Sequence, residues 1–143
     1  MSDYRVIEVK QSVLASNDQK ANELRSKMKE KGTLLINLMS SPGSGKTTML
    51  RRTIKALKGE LDIAVMEADI DSDVDAAAIS EVGAQTIQLH TGGMCHLDAA
   101  MCAQGLEGLA AGDTDVIFLE NVGNLVCPAE FDTGAGVNIT ILS

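Results

Sequence analysis

Apolar residues are distributed in two ways along this chain. Over residues 12–31 they are sparse and spaced for one face of a helix, with Val13, Leu14, Ala21, Leu24 and Met28 set among polar helix formers and Gly32 following as a stop. Past Gly32 they gather into short continuous runs at 33–39, 62–68, 86–89, 115–120 and 137–142. Short, mostly apolar runs of that length predict buried strands. Between the runs, 48–58, 74–82 and 97–111 carry helical spacing, and Gly59, Gly83 and Gly112 stand just beyond their ends. Strands alternating with helices predict a largely parallel α/β sheet flanked by helices and preceded by an N-terminal helix. The expected division is a lead-in helix over 1–32 and an α/β domain over 33–143. The last run ends the chain inside a strand, so this domain is expected to be incomplete at its C-terminus.

Composition narrows the classes. The chain has 143 residues, 45% of them hydrophobic, which suits one domain with a sizeable core. A net charge of −8 argues against a duplex-binding surface, and 2% aromatic content with no Trp argues against stacking platforms for single strands. No nucleic-acid partner is expected. The N-terminus reads Met1-Ser2-Asp3-Tyr4-Arg5, and no uninterrupted apolar run reaches membrane length, so a cytoplasmic protein without membrane contact is expected. The three cysteines, Cys95, Cys102 and Cys127, are an odd count, and a reducing compartment favours metal or thiol chemistry over a disulfide framework.

The strongest chemical signal lies between the first apolar run and the helix after it, at Ser40-Ser41-Pro42-Gly43-Ser44-Gly45-Lys46-Thr47. Small residues between a strand and a helix let successive backbone N–H groups converge on phosphate oxygens, and the helix start adds positive potential. Gly43, Ser44, Gly45, Lys46, Thr47 and Thr48 form the expected nucleotide cradle. Lys46 reaches the β and γ phosphates and the Thr47 hydroxyl takes a position on Mg²⁺. The motif's first glycine is here Ser40, so a Cβ must be accommodated there. The plainer alternative is an ordinary Gly/Ser turn. With this motif the fold expected is that of a P-loop NTPase.

Three further constellations follow strands. Asp69-Ile70-Asp71-Ser72-Asp73-Val74-Asp75 emerges after the second run. Asp69 and Asp75 are the residues picked for Mg²⁺ or for orienting water, whereas Asp71 and Asp73 read as a solvated turn that caps the next helix. Glu120-Asn121-Val122-Gly123 places an acid at a strand end, within reach of Mg²⁺, and three residues on a glycine whose N–H suits a γ-phosphate. Cys95-His96, with Cys127, offers ligand types for Zn²⁺ or Ni²⁺, one ligand short of a full site, which a symmetric dimer would complete. Spacing alone leaves a buried thiol and a helix-capping histidine open beside metal binding. Cys102 reads as a buried core residue and His90 as a strand-end surface residue, both outside the site.

The strings Pro42-Gly43-Ser44-Gly45-Lys46-Thr47, Cys95-His96-Leu97-Asp98-Ala99 and Glu120-Asn121-Val122-Gly123-Asn124-Leu125-Val126-Cys127-Pro128-Ala129-Glu130-Phe131-Asp132 together resemble the HypB family of hydrogenase nickel-incorporation GTPases. The resemblance runs from the lead-in helix to the last residue. It implies a SIMIBI-class GTPase, cofactors GTP, Mg²⁺ and Ni²⁺ or Zn²⁺, and nucleotide-linked homodimerisation. Its partners would be other hydrogenase-maturation factors and the precursor of the [NiFe]-hydrogenase large subunit. On that resemblance Lys46, Asp75 and Glu120 are catalytic, and Cys95, His96 and Cys127 are the metal ligands at the dimer interface. A guanine-reading motif usual further along that family is missing here, as are an N-terminal cysteine motif and a histidine-rich stretch. The rival readings are a P-loop metabolic kinase and a metal-binding scaffold without hydrolysis.

Overall fold

A computed structural model describes residues 4–9, 17–41, 45–69, 77, 79–92, 97–109, 114–123, 125, 128 and 131–142. In chain order the elements are β1 (Arg5–Glu8), α1 (Asn17–Lys31), β2 (Leu34–Ser40), α2 (Lys46–Leu57), β3 (Ile63–Asp69), β4 (Gln85–His90), α3 (Ala99–Gly108), β5 (Val116–Glu120) and β6 (Val137–Ile141). Ala77, Ile79 and Ser80 are also helical. Six strands form one sheet in the order β1-β4-β3-β5-β2-β6, and every neighbouring pair is parallel. This is the parallel α/β sheet that the alternating runs predict.

Side-chain alternation along each strand builds two cores. Leu35, Ala64, Met66, Ile87, Leu89, Ile117 and Leu119 face one way and pack with Leu24 and Met28 of α1 and Met101 and Cys102 of α3. Leu38, Val65 and Phe118 face the other way, onto Leu50 and Ile54 of α2 and onto Ile79. Runs that are apolar at consecutive positions thus serve both cores at once.

One element differs from expectation. Arg5–Glu8 is a strand, in register with β4 as Arg5↔Ile87 through Glu8↔His90. Four residues with charged ends give no periodic signal, and the edge position explains why Val6 remains exposed. α1 is helical from Asn17, while positions 12–16 of the expected helix, Gly112 and positions 74–76 and 78 of the expected 74–82 helix lie outside the described residues. Gly32 stops α1 in the left-handed region at φ 71°, its N–H reaching Lys29 O at 3.1 Å. Among the described residues no helix is long and apolar enough to cross a membrane.

Candidate functional site

The carboxyl ends of β2 and β5 meet the start of α2, and there the candidate chemistry collects. β2 ends at Ser40, which is 1% exposed and paired in register with Ile141. Its backbone is ordinary strand, so this position has no need of glycine; its hydroxyl has no hydrogen-bond partner among the described residues. Gly45 adopts φ 85° and ψ 18°, a left-handed geometry that disfavours any Cβ, and caps α2 without a side-chain hydrogen bond. The first turn of α2 holds no acidic residue, so its free N–H groups keep their positive potential.

Lys46 and Thr47 open α2 and face Glu120 at the end of β5. The Thr47 hydroxyl donates to Glu120 Oε1 at 3.0 Å, Lys46 Nζ lies 3.6 Å from the same oxygen, and Lys46 also donates to Asn121 O at 3.0 Å. Glu120 is 1% exposed, and its second oxygen, Oε2, is buried with no partner among the described residues. A carboxyl group held this deep with one oxygen unspent offers an acceptor to a cation or an N–H donor. The register Glu67↔Glu120 puts another buried acid on the neighbouring strand. Sequence reasoning missed Glu67, because one acid inside an apolar run carries no motif.

A relay of amides fixes the turn after β5. Asn138 accepts from Asn37, Asn37 accepts from Asn121, each at 3.0 Å, and Asn121 Oδ1 accepts the Val122 N–H at 2.8 Å. Asn121 N–H also reaches Leu38 O. Glu120-Asn121-Val122-Gly123 is thereby tied to β2 and β6, with Gly123 partly exposed just beyond.

Of the other expected site residues, Thr48 lies in α2 and Asp69 ends β3, its backbone in register with His90. Gly43, Ser44, Asp75, Cys95, His96 and Cys127 lie outside the described residues, as do Asp71 and Asp73. The chain neighbours of the Cys and His residues are described: Leu97 is fully buried, and Pro128 is buried against a cleft of about 450 Å³ lined by Asp18, Arg25, Asn37 and Asp132. α3 is capped by Asp98, whose Oδ1 accepts the Met101 N–H at 2.9 Å. Cys102 is buried as expected; burial, with Asp98 adding to it, pushes its thiol up to about 12. His90 is half-buried rather than on the surface, with Nε2 unpartnered among the described residues. No cluster of three or more His, Cys, Asp or Glu suited to a metal occurs among the described residues.

α1 is bound to the segment after Pro128. Arg25 Nη2 pairs with Asp132 Oδ1 at 2.6 Å and its Nε donates to Ala135 O at 3.1 Å. Burial pushes the Asp132 carboxyl up, but the Arg25 hydrogen bond, the Gly134 N–H and the Arg25 charge outweigh it, leaving the pKa below its usual value.

Residues 34–139 match the family model described as CobW/HypB/UreG, nucleotide-binding domain. The chain is 48% identical to a hydrogenase maturation factor HypB of Rhizobium leguminosarum bv. viciae, over all of this chain and 48% of that protein. It is 45% identical to the HypB of Escherichia coli strain K12, over all of this chain and 49% of that protein. It therefore spans about half the length of the curated relatives it matches. Among solved structures, HypB from Helicobacter pylori in complex with nickel superposes with a TM-score of 0.80 at 38% identity, covering 88% of this chain and 60% of that one.

Proposed function

Because the chain belongs to the CobW/HypB/UreG nucleotide-binding family and groups within it with the HypB proteins, we propose that it is the GTP-hydrolysing part of a nickel-delivering maturation factor for [NiFe]-hydrogenase. The observation that carries the reading is the Lys46–Thr47–Glu120 cluster at the start of α2, beside a left-handed Gly45. The buried Glu120 Oε2, without a partner among the described residues, fits a site that takes up a cation.

Phosphate is held by backbone N–H groups of the loop through Gly43, Ser44 and Gly45, by the N-terminus of α2 and by Lys46. Taking up phosphate draws Lys46 Nζ away from Asn121 O, so the lysine exchanges a neutral acceptor for a charged one. Thr47, Asp69, Asp75 and Glu120 are the set that would hold Mg²⁺, which supplies charge neutralisation at the phosphate oxygens. Water attacks the γ-phosphorus, the bond to the β-γ bridging oxygen breaks, and GDP and phosphate leave. Lys46 and the loop amides stabilise the charge that develops, and no covalent intermediate is needed.

Nickel is the cargo, taken by Cys95, His96 and Cys127 of two copies across a dimer interface. Cys127 follows Glu120 by seven residues in the chain, so nucleotide state and metal affinity are coupled, and each must change the other by the same factor. The maturation partners and the hydrogenase large-subunit precursor receive the metal in the cytoplasm.

The test pairs two assays on the reduced chain. Hydrolysis of GTP should be Mg²⁺-dependent and fall at least a hundredfold in Lys46→Ala; hydrolysis that survives would remove the nucleotide half of the reading. Nickel binding followed by absorbance and native mass should need both Cys95 and Cys127 and bring a dimer; binding that survives both alanine substitutions would remove the metal half. Phosphate transfer to a small-molecule acceptor would favour a kinase instead.

A further inference from the structure

Asn37 lies on the face of the sheet away from Lys46, yet it is joined to that lysine through a single residue. It stands two positions after Leu35 on β2, so alternation puts it on the core face that α1 covers, and it lines a cleft with Asp18 and Arg25 of α1. Its bond to Asn121 keeps that side chain on the same face. Both are buried, Asn37 at 1% and Asn121 at 0% exposure. A carboxamide at that depth destabilises the fold unless its two ends are paired, and here each uses both.

The direction of the relay is set at one end. The Val122 N–H can only donate, so the Asn121 atom that meets it at 2.8 Å is the oxygen. The Asn121 nitrogen therefore faces Asn37 Oδ1 at 3.0 Å, and the Asn37 nitrogen is left to donate to Asn138 Oδ1, also at 3.0 Å. No carboxamide of the three can turn over without setting two donors or two acceptors against each other. The main chain of Asn121 serves the other face: its N–H donates to Leu38 O at 3.0 Å and its carbonyl accepts Lys46 Nζ at 3.0 Å. Glu120, one residue before it, accepts the Thr47 hydroxyl.

We propose that Asn37 is a positioning residue for the nucleotide site, setting through Asn121 where the turn over 120–123 stands relative to Lys46 and Thr47. Its role rests on the nucleotide-site reading above and deepens it, by naming what lets the site tell a triphosphate with Mg²⁺ from a diphosphate. An apolar residue at position 37 leaves the buried Asn121 Nδ2 without its acceptor, and the turn shifts to find another. Affinity for a ligand that needs the turn in place then falls with the fraction of molecules that keep it there. A diphosphate without Mg²⁺ rests on the loop amides and Lys46 and makes no demand on Glu120 or Gly123.

The experiment titrates the 143-residue chain with two fluorescent probes, a mant-labelled non-hydrolysable GTP analogue with Mg²⁺ and mant-GDP in EDTA, on the wild type, Asn37→Leu and Asn37→Asp. Leucine keeps the branched shape and removes the acceptor, whereas aspartate presents an oxygen to Asn121 whether or not it is protonated. Asn37→Leu should weaken the GTP analogue about tenfold and leave GDP within about twofold, and Asn37→Asp should bring the ratio back to within about threefold of wild type. Should Asn37→Leu fail to fold, Asn37→Thr takes its place, with a strand-forming side chain one bond too short for Asn121. Equal losses for both probes, or no loss for either, would overturn the proposal, because a merely structural asparagine moves the two together; so would an aspartate that restores nothing. A wild type that binds neither probe would instead overturn the nucleotide-site reading, and the role of Asn37 with it.

Discussion

Glu120 is the residue on which the proposed chemistry turns, because it is buried, holds Thr47 and Lys46 through one oxygen, and has the other unpartnered among the described residues. Glu120→Gln keeps an acceptor for Thr47 and removes the charge. It should cost about 1 kcal/mol of stability and lower GTP hydrolysis at least tenfold, measured by urea unfolding and phosphate release. Cys102 behaves in the opposite sense. Its thiol is held neutral up to about 12 by burial, against a usual 9.0, so iodoacetamide at pH 8 should leave it unlabelled in the native chain and label it after unfolding, by peptide mass. Its raised value also favours the native state below pH 9, and that contribution is lost as pH rises toward 12. Asp132 has the reverse sign: its lowered pKa stabilises the fold above the ordinary carboxylate range and ceases to do so as pH falls through the native value. Both partners are more than a third exposed, so Asp132→Asn should cost no more than about 1 kcal/mol at pH 7. Urea midpoints should show the gap to wild type closing below about pH 4.

Among the elements, α3 approaches the sheet more closely than an ordinary helix can. A Cβ built at Gly105 would stand 2.9 Å from Leu89 Cδ2 and 3.0 Å from Met66 Sδ. Gly105→Ala gains about 1 kcal/mol of helix propensity and loses about 1–3 kcal/mol to overpacking. A net loss is expected in thermal unfolding; a gain in Tm would mean that Leu89 and Met66 repack freely. The elements legible in the sequence were those with long apolar runs, and β1 was not among them. Arg5-Val6-Ile7-Glu8 gains its partner only when His90 and its neighbours lie alongside. The site was legible in the same uneven way. Gly45, Lys46, Thr47 and Glu120 announce themselves by motif, whereas Asn37, Asn121 and Glu67 act through register between distant strands, and Asn17, Arg25 and Asp132 through contacts across more than a hundred residues. No local pattern encodes such pairings.

At the scale of the whole molecule the sheet has β6 at one side, with Val137 and Ile139 about 40% exposed. Ile139→Lys places a charge on that strand and should lower light scattering by the nucleotide-free chain at high concentration without changing its unfolding free energy by more than about 0.5 kcal/mol. The strand order has another consequence, for the making of the protein. Among the described residues β2, which delivers Ser40 to the phosphate loop, hydrogen-bonds to β5 and β6, both of which follow β3 and β4 in the chain. At ordinary rates of translation it waits roughly ten seconds for its first neighbour. A nascent chain stalled short of Val116 should therefore be cut by protease within Leu34–Ser40, and protection should arise only once β5 has cleared the exit tunnel.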